Sequence, residues 1–140
     1  MHKAKACVIT CIDFRFQEQI QDFLEDLDLE EKFDLITIAG ASRDFIKPVD
    51  TIDGKYVWKQ LGLSIKLHDP DEIIFIDHQD CGGYAQDGTI PGGLEKTEDA
   101  SLHKKYMTKL KKKVAVKYPD KKVKFFHAAL DGSVLEIPIP

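Results

Sequence analysis

The sequence predicts an α/β fold: one three-layer domain over residues 1–140, with helices on both faces of a mostly parallel sheet and an antiparallel C-terminal edge strand. Three observations predict it. Apolar runs without polar alternation occur at Ala6-Cys7-Val8-Ile9 and Ile73-Ile74-Phe75-Ile76, the pattern of strands covered on both faces. Segments with apolar residues at helical spacing alternate with such runs. Near the C-terminus, Asp131-Gly132 between two apolar segments is a strong short-range hairpin signal.

The first strand is expected from Lys5 to Thr10. From about Phe16 to Leu27, the spacing of Ile20, Phe23, Leu24 and Leu27 predicts an amphipathic helix. Phe33 to Ala39 reads as a second strand of the buried type, closed by Gly40. Ala41 to Asp53, with Pro48 and many polar residues, reads as a loop. A second helix fits from about Gly54 to Leu67 with Val57, Trp58, Leu61 and Ile65 facing inward, and Asp69-Pro70 stops it. Glu72 to Asp77 is the third strand. A glycine-rich loop follows, and a third helix from about Glu98 to Lys117 is expected to bury Leu102, Tyr106, Leu110 and Val114. Lys122 to Leu130 and Ser133 to Ile137 form the closing hairpin, ended by Pro138 and Pro140. The common strand order 2-1-3-4 would make the first and third strands neighbours. The crevice beyond their carboxyl ends would then be the switch point where such sheets bind ligands.

Composition narrows the function classes. The net charge is −4, which argues against general nucleic-acid binding. Half of the 20 Lys and Arg residues lie between Lys104 and Lys124, a stretch read as a solvated helix face. No apolar run approaches a membrane span, and the N-terminus lacks the apolar region of a signal peptide, so a cytoplasmic location is expected. In that reducing setting the 3 cysteines are ligand or catalyst candidates before they are disulfide candidates.

The chemistry-bearing residues stand at the ends of strands 1 and 3. Cys11, Asp13 and Arg15 follow the first run at alternate positions; His78 and Cys81 follow the second. Two thiolates and an imidazole suit zinc, and three protein ligands leave one tetrahedral position open, the pattern of a catalytic site. Water there would be acidified to a hydroxide nucleophile, and two thiolate ligands would make it less acidic than three imidazoles, favouring activity at alkaline pH. In extended backbone Cys11, Asp13 and Arg15 would share a face. Asp13 could orient the metal-bound water or bind the metal as a fourth ligand, and Arg15 would hold it off the ion. An ordinary surface ion pair is the plainer alternative for Asp13 and Arg15. Gly82 and Gly83 could contact an anion through backbone amides or serve only a tight turn. Cys7 reads as a small buried hydrophobe, and His2, His68, His103 and His127 receive no role.

These residues resemble the β-class carbonic anhydrases, whose signature is Cys-x-Asp-x-Arg after the first strand and His-x-x-Cys-Gly after the third. Here that signature is Cys11, Asp13, Arg15, His78, Cys81 and Gly82. The likeness extends over nearly the whole chain, including Ala39-Gly40 after the second strand. It implies a zinc enzyme that interconverts carbon dioxide and bicarbonate, with Cys11, His78 and Cys81 as ligands and an Asp13–Arg15 dyad. It also implies a homodimer or higher homo-oligomer with the site near a subunit interface. Phe14 replaces the family's usual serine, and the N-terminal helices that many members wrap around a partner are expected to be absent. The same ligand set would also serve a hydrolase of carbonyl sulfide or carbon disulfide. A non-catalytic zinc-binding domain, with Asp13 as permanent fourth ligand, is the reading from another class.

Overall fold

The computed structural model describes residues 2–140; Met1 of the expected 1–140 domain lies outside the described residues. Four parallel strands and one antiparallel strand form a sheet in the order β2-β1-β3-β4-β5. They are β1 (Ala6–Thr10), β2 (Phe33–Thr37), β3 (Glu72–His78), β4 (Lys122–Ala128) and β5 (Val134–Glu136). The expected order and antiparallel edge are both present. The chain runs from β1 outward to β2, then crosses back over β1 to reach β3, so the switch point falls at the ends of β1 and β3.

Period-two alternation divides each central strand between two cores. Cys7 and Ile9 of β1, Ile73 and Phe75 of β3 and Phe125 of β4 face one side. There they meet Val57 and Leu61 of α3 (Thr51–His68) and Met107, Leu110 and Val114 of α5 (Lys96–Lys117). Ala6, Val8, Ile74, Ile76 and Phe126 face the other side, where Ile20 and Leu24 of α1 (Gln17–Asp26) cover them together with Phe16. Cys7 is fully buried, as expected of a small core residue, and burial pushes its thiol up to about 11.

Five local readings change. β2 is an edge strand with Leu35 exposed, because the order leaves it one neighbour; it is not buried on both faces. The stretch read as a loop holds a helical turn, α2 (Arg43–Ile46), and α3 begins before Gly54 because Asp50 caps it, accepting from the Ile52 N–H at 3.2 Å. The glycine-rich loop contains another turn, α4 (Gly82–Ala85). The buried face of α5 is also rotated from expectation: Asp99, His103 and Met107 join Leu110 and Val114 in the interior, while Leu102 and Tyr106 are half-buried beside α4. Several lysines of the basic stretch cover neighbours. Lys117 lies over the Trp58 ring at 4.8 Å, and Lys121 pairs with Asp69.

Candidate metal centre

One step past the Thr10–Ile76 pairing, the chain leaves β1 at Cys11, and β3 ends at His78. Cys81 follows after a turn in which Asp80 takes a positive φ of 57°, a region that Asp tolerates better than most residues. The Cys11, His78 and Cys81 ligand atoms lie within 4.8 Å of one another, and all three residues are buried. Cys11 Sγ and Cys81 Sγ are 4.0 Å apart. The arrangement could hold a metal ion.

Each donor is aimed by its neighbours. The His78 Nδ1–H donates to the Gln79 carbonyl at 2.7 Å, which leaves Nε2 as the free face of the ring. That Nε2 is buried without a hydrogen-bond partner. Phe16 stacks on the other side of the imidazole, with ring centroids 4.3 Å apart. The Gly40 N–H donates to Cys11 Sγ at 3.3 Å. Cys81 and then His78 stabilise Cys11 as the thiolate against the opposing effect of burial; that thiolate, together with burial, pushes the Cys81 thiol up. Burial would lower His78, but the Cys11 thiolate raises it. The two thiols are therefore pushed in opposite directions, Cys11 toward the thiolate and Cys81 toward the thiol.

Asp13 and Arg15 both face the same cleft, a space of about 620 Å³ also lined by Ile12, Phe14, Gly82 and Gly83. Their convergence does not come from extended alternation. Phe14–Phe16 forms a 3-10 turn capped by Asp13, whose Oδ1 accepts from the Arg15 N–H at 2.9 Å. The Arg15 side chain then folds back onto the same carboxylate, Nη2 to Oδ2 at 2.7 Å and Nε to Oδ1 at 3.1 Å. This pairing holds the Asp13 carboxyl below its ordinary range. Asp13 Oδ2 stands 3.8 Å from His78 Nε2.

The second partner of Arg15 was not anticipated from sequence. Its Nη1 donates to Asp80 Oδ2 and its Nη2 to the Asp80 carbonyl, each at 3.0 Å. Asp80 is itself fixed by the Gly93 N–H on Oδ1 at 2.9 Å, and its own N–H donates to Asp99 Oδ2 at 3.1 Å. Gly82 has open space around it and borders the cleft, whereas Gly83 packs against Gly40 so closely that a Cβ there would lie 2.5 Å from the Gly40 nitrogen.

His103 and His127, assigned no role from sequence, are buried in a second polar cluster. Asp77, next to His78 in β3, accepts from the Ser42 hydroxyl at 2.7 Å, and its Oδ2 is 2.8 Å from His103 Nδ1. Asp99 and His103 are one helical turn apart in the sequence, but the pairing of Asp77 with His127 that completes the cluster appears only in the β3–β4 register. His68, likewise unassigned, pairs with Asp34 at 2.8 Å.

Residues 1–134 match a family described as "Putative carbonic anhydrase". The chain belongs to that family. Two uncharacterized rickettsial proteins are similar in sequence. That of Rickettsia bellii is 29% identical over 137 residues, 98% of this chain and 84% of that protein. That of Rickettsia conorii is 30% identical over 141 residues, covering 98% and 74%. The fold is that of β-carbonic anhydrases. A tetrameric β-carbonic anhydrase of Sordaria macrospora superposes with a TM-score of 0.64 at 15% identity, over 98% of this chain and 82% of that one. The β-carbonic anhydrase CafA of Aspergillus fumigatus gives 0.60 at 15% identity, over 97% and 76%.

Proposed function

We propose that the protein is a zinc-dependent carbonic anhydrase-like enzyme that interconverts carbon dioxide and bicarbonate, with Cys11, His78 and Cys81 as the metal ligands. The observation that carries the reading is the buried, unpartnered His78 Nε2 facing two cysteine sulfurs in a member of this family. Burying an imidazole nitrogen without a partner is costly, and an ion removes that cost. The donor set fits zinc. Tetrahedral coordination at a Zn–S distance of about 2.3 Å separates two thiolates by about 3.8 Å, close to the 4.0 Å between Cys11 Sγ and Cys81 Sγ. When bound, zinc supplies the acidity that makes water a nucleophile near neutral pH.

The chain's own residues do the rest. Arg15 holds Asp13 through its backbone N–H and its guanidinium, so the carboxylate faces the cleft beside His78 without joining the ligand group. Held there, Asp13 is an acceptor for the proton of an incoming water and orients that water toward the substrate. Released from Arg15, it would be close enough to His78 to reach the ion as a fourth ligand and close the site. The apolar Ile12, Phe14 and Ala85 give a small linear molecule without charge a surface to rest on.

Stopped-flow carbon dioxide hydration, with metal content measured on the same sample, tests the reading. About one zinc per chain on the cysteine centre and hydration that rises toward alkaline pH are expected. Zinc at full occupancy with no hydration, and no hydrolysis of carbonyl sulfide or carbon disulfide, would reduce the protein to a metal-binding domain. Ile12 and Phe14 are exposed on the cleft rim, and we propose that a second copy of the chain covers them. Light scattering that returns only the monomer mass at working concentrations would reject the oligomer.

A further inference from the structure

The second polar cluster contains the same kind of vacancy in hydrogen bonding as the first. His103 is fully buried, and its Nε2 has no hydrogen-bond partner, although Asp99 Oδ1 is only 3.2 Å away. That same oxygen is 2.8 Å from His127 Nε2. Asp99, His103 and His127, all buried, therefore each turn a donor atom into one group within 4.8 Å, and both imidazole Nε2 atoms face Asp99 Oδ1. Ligands at about 2.1 Å from an ion lie about 3.0 Å apart in octahedral and about 3.4 Å apart in tetrahedral coordination. The two measured separations, 2.8 and 3.2 Å, straddle the lower of these values.

The surroundings are those of a ligand set. A metal-ligating histidine characteristically donates its other N–H to a carboxylate. His103 Nδ1 lies 2.8 Å from Asp77 Oδ2, and Asp77 is anchored in turn by the Ser42 N–H and hydroxyl. The free oxygen of Asp99, Oδ2, accepts from the Asp80 N–H. Were His103 neutral with its Nδ1 proton on Asp77, its Nε2 lone pair would face a carboxylate oxygen, acceptor against acceptor; against the effect of burial, Asp77 and Asp99 favour a second proton on the ring instead. A cation between them resolves the conflict. Charge leads to the same place: Asp77 and Asp99 are two buried carboxylates, and one divalent ion neutralises both. His127 also forms part of the wall of a cavity of about 250 Å³ between α5 and the β4–β5 hairpin, while Asp99 and His103 lie fully buried behind it.

We propose that Asp99, His103 and His127 form a second divalent-metal site, distinct from the cysteine centre, that takes a borderline ion such as zinc or cobalt(II). Two nitrogen donors and one oxygen exclude a preference for calcium or magnesium, which favour all-oxygen shells. The inference rests on these residues alone and is independent of the carbonic anhydrase reading.

The competing occupant is a pair of protons, one on each imidazole, which would neutralise the same two carboxylates. Cobalt(II) separates the two cases. The chelator-stripped protein is titrated with cobalt(II) and followed by absorption, with bound metal counted after equilibrium dialysis. The first equivalent is expected to bring the near-ultraviolet band of thiolate-to-cobalt charge transfer. A second equivalent should bind with visible ligand-field absorption only, without increasing that band. Cys11→Ser combined with Cys81→Ser should retain one ion per chain and lack the charge-transfer band. His127→Ala, at the cavity wall, should keep the band and bind one ion. If the native protein saturates at one ion and the band grows with all of it, the proposal is wrong and the cluster carries protons. An absent band with one ion still bound would instead overturn the cysteine centre and leave the second site standing. Should the double cysteine variant fail to fold, the native titration alone decides.

Discussion

Arg15 is shared between two carboxylates, and this fixes what its loss should do. It pairs with Asp13 on one side and with Asp80 on the other, and Asp80 is tied into the fold at four points. Arg15→Ala frees Asp13 to move toward His78. Carbon dioxide hydration should then fall by about 10–100-fold, the usual scale for a partner one step from a metal ligand, while bound zinc stays near one per chain. Full hydration in that variant would end the gating role. Gly83 gives a second test at this scale. A methyl group there meets the Gly40 backbone at 2.5–2.6 Å and has no flexible side chain to displace. Gly83→Ala should cost about 3 kcal/mol in urea unfolding, and zinc occupancy should fall with it because the Cys81 loop must shift.

The candidate ligands were legible because two features coincide: reactive side chains placed at strand ends, and a strand order that makes those ends neighbours. The second cluster was not legible for a specific reason. Leu102 and Tyr106 are more apolar than His103, so a reading by hydrophobicity turns α5 toward them. The fold turns Asp99 and His103 inward because Asp77 and His127 wait there to pair with them. Polar partners supplied by other elements cannot be seen in one helix's periodicity.

Among the elements, α3 shows how a local signal sets a boundary. Its 18 residues start at Thr51 because the Asp50 side chain accepts from the Ile52 N–H, satisfying one of the first-turn donors. Asp50→Ala should destabilise the protein by about 1 kcal/mol, read as a lower urea midpoint with an unchanged slope. A change of slope instead would mean that α3 frays as a unit. β2 teaches the complementary lesson. Phe33-Asp34-Leu35-Ile36-Thr37 alternates more than it runs, and Asp34 reaches Ser64 at 2.7 Å and His68 at 2.8 Å. A charge inside a short edge strand also discourages pairing with foreign strands. The edge position was implicit in the strand order, but the apolar content of the segment masked it.

Across the whole molecule, Arg43 ties the segment after β2 to the segment after α4. It is the largest fully buried side chain, and its guanidinium donates to the Gly83 carbonyl and to Asp87 Oδ2, while Nε donates to the Lys47 carbonyl. Hydrogen bonds from Thr89, and then the Arg43 pairing, hold the Asp87 carboxyl down at about 2. Because the folded value is depressed, this contribution is present above the ordinary carboxylate value and is lost as the pH falls through about 2. Asp87→Asn should therefore narrow its stability gap from the native protein between about pH 4 and about pH 2. Circular dichroism during acid titration would show this, and a gap constant across that range would contradict it.

The donor atoms of the cysteine centre are brought together by the strand ends, by hydrogen bonds with the Gly40 and Gln79 backbone groups and by the Phe16 ring, which is itself part of a hydrophobic core. Under the zinc reading, assembly of the polypeptide and acquisition of the ion would be separable events. In a small zinc finger the ion is a folding reagent, and stripping it unravels the chain. Here the donors are held by the fold's own packing, so a bound ion would not be needed to assemble them. Occupancy would then follow the chemical potential of the free ion, and a folded chain could be emptied and refilled within its lifetime.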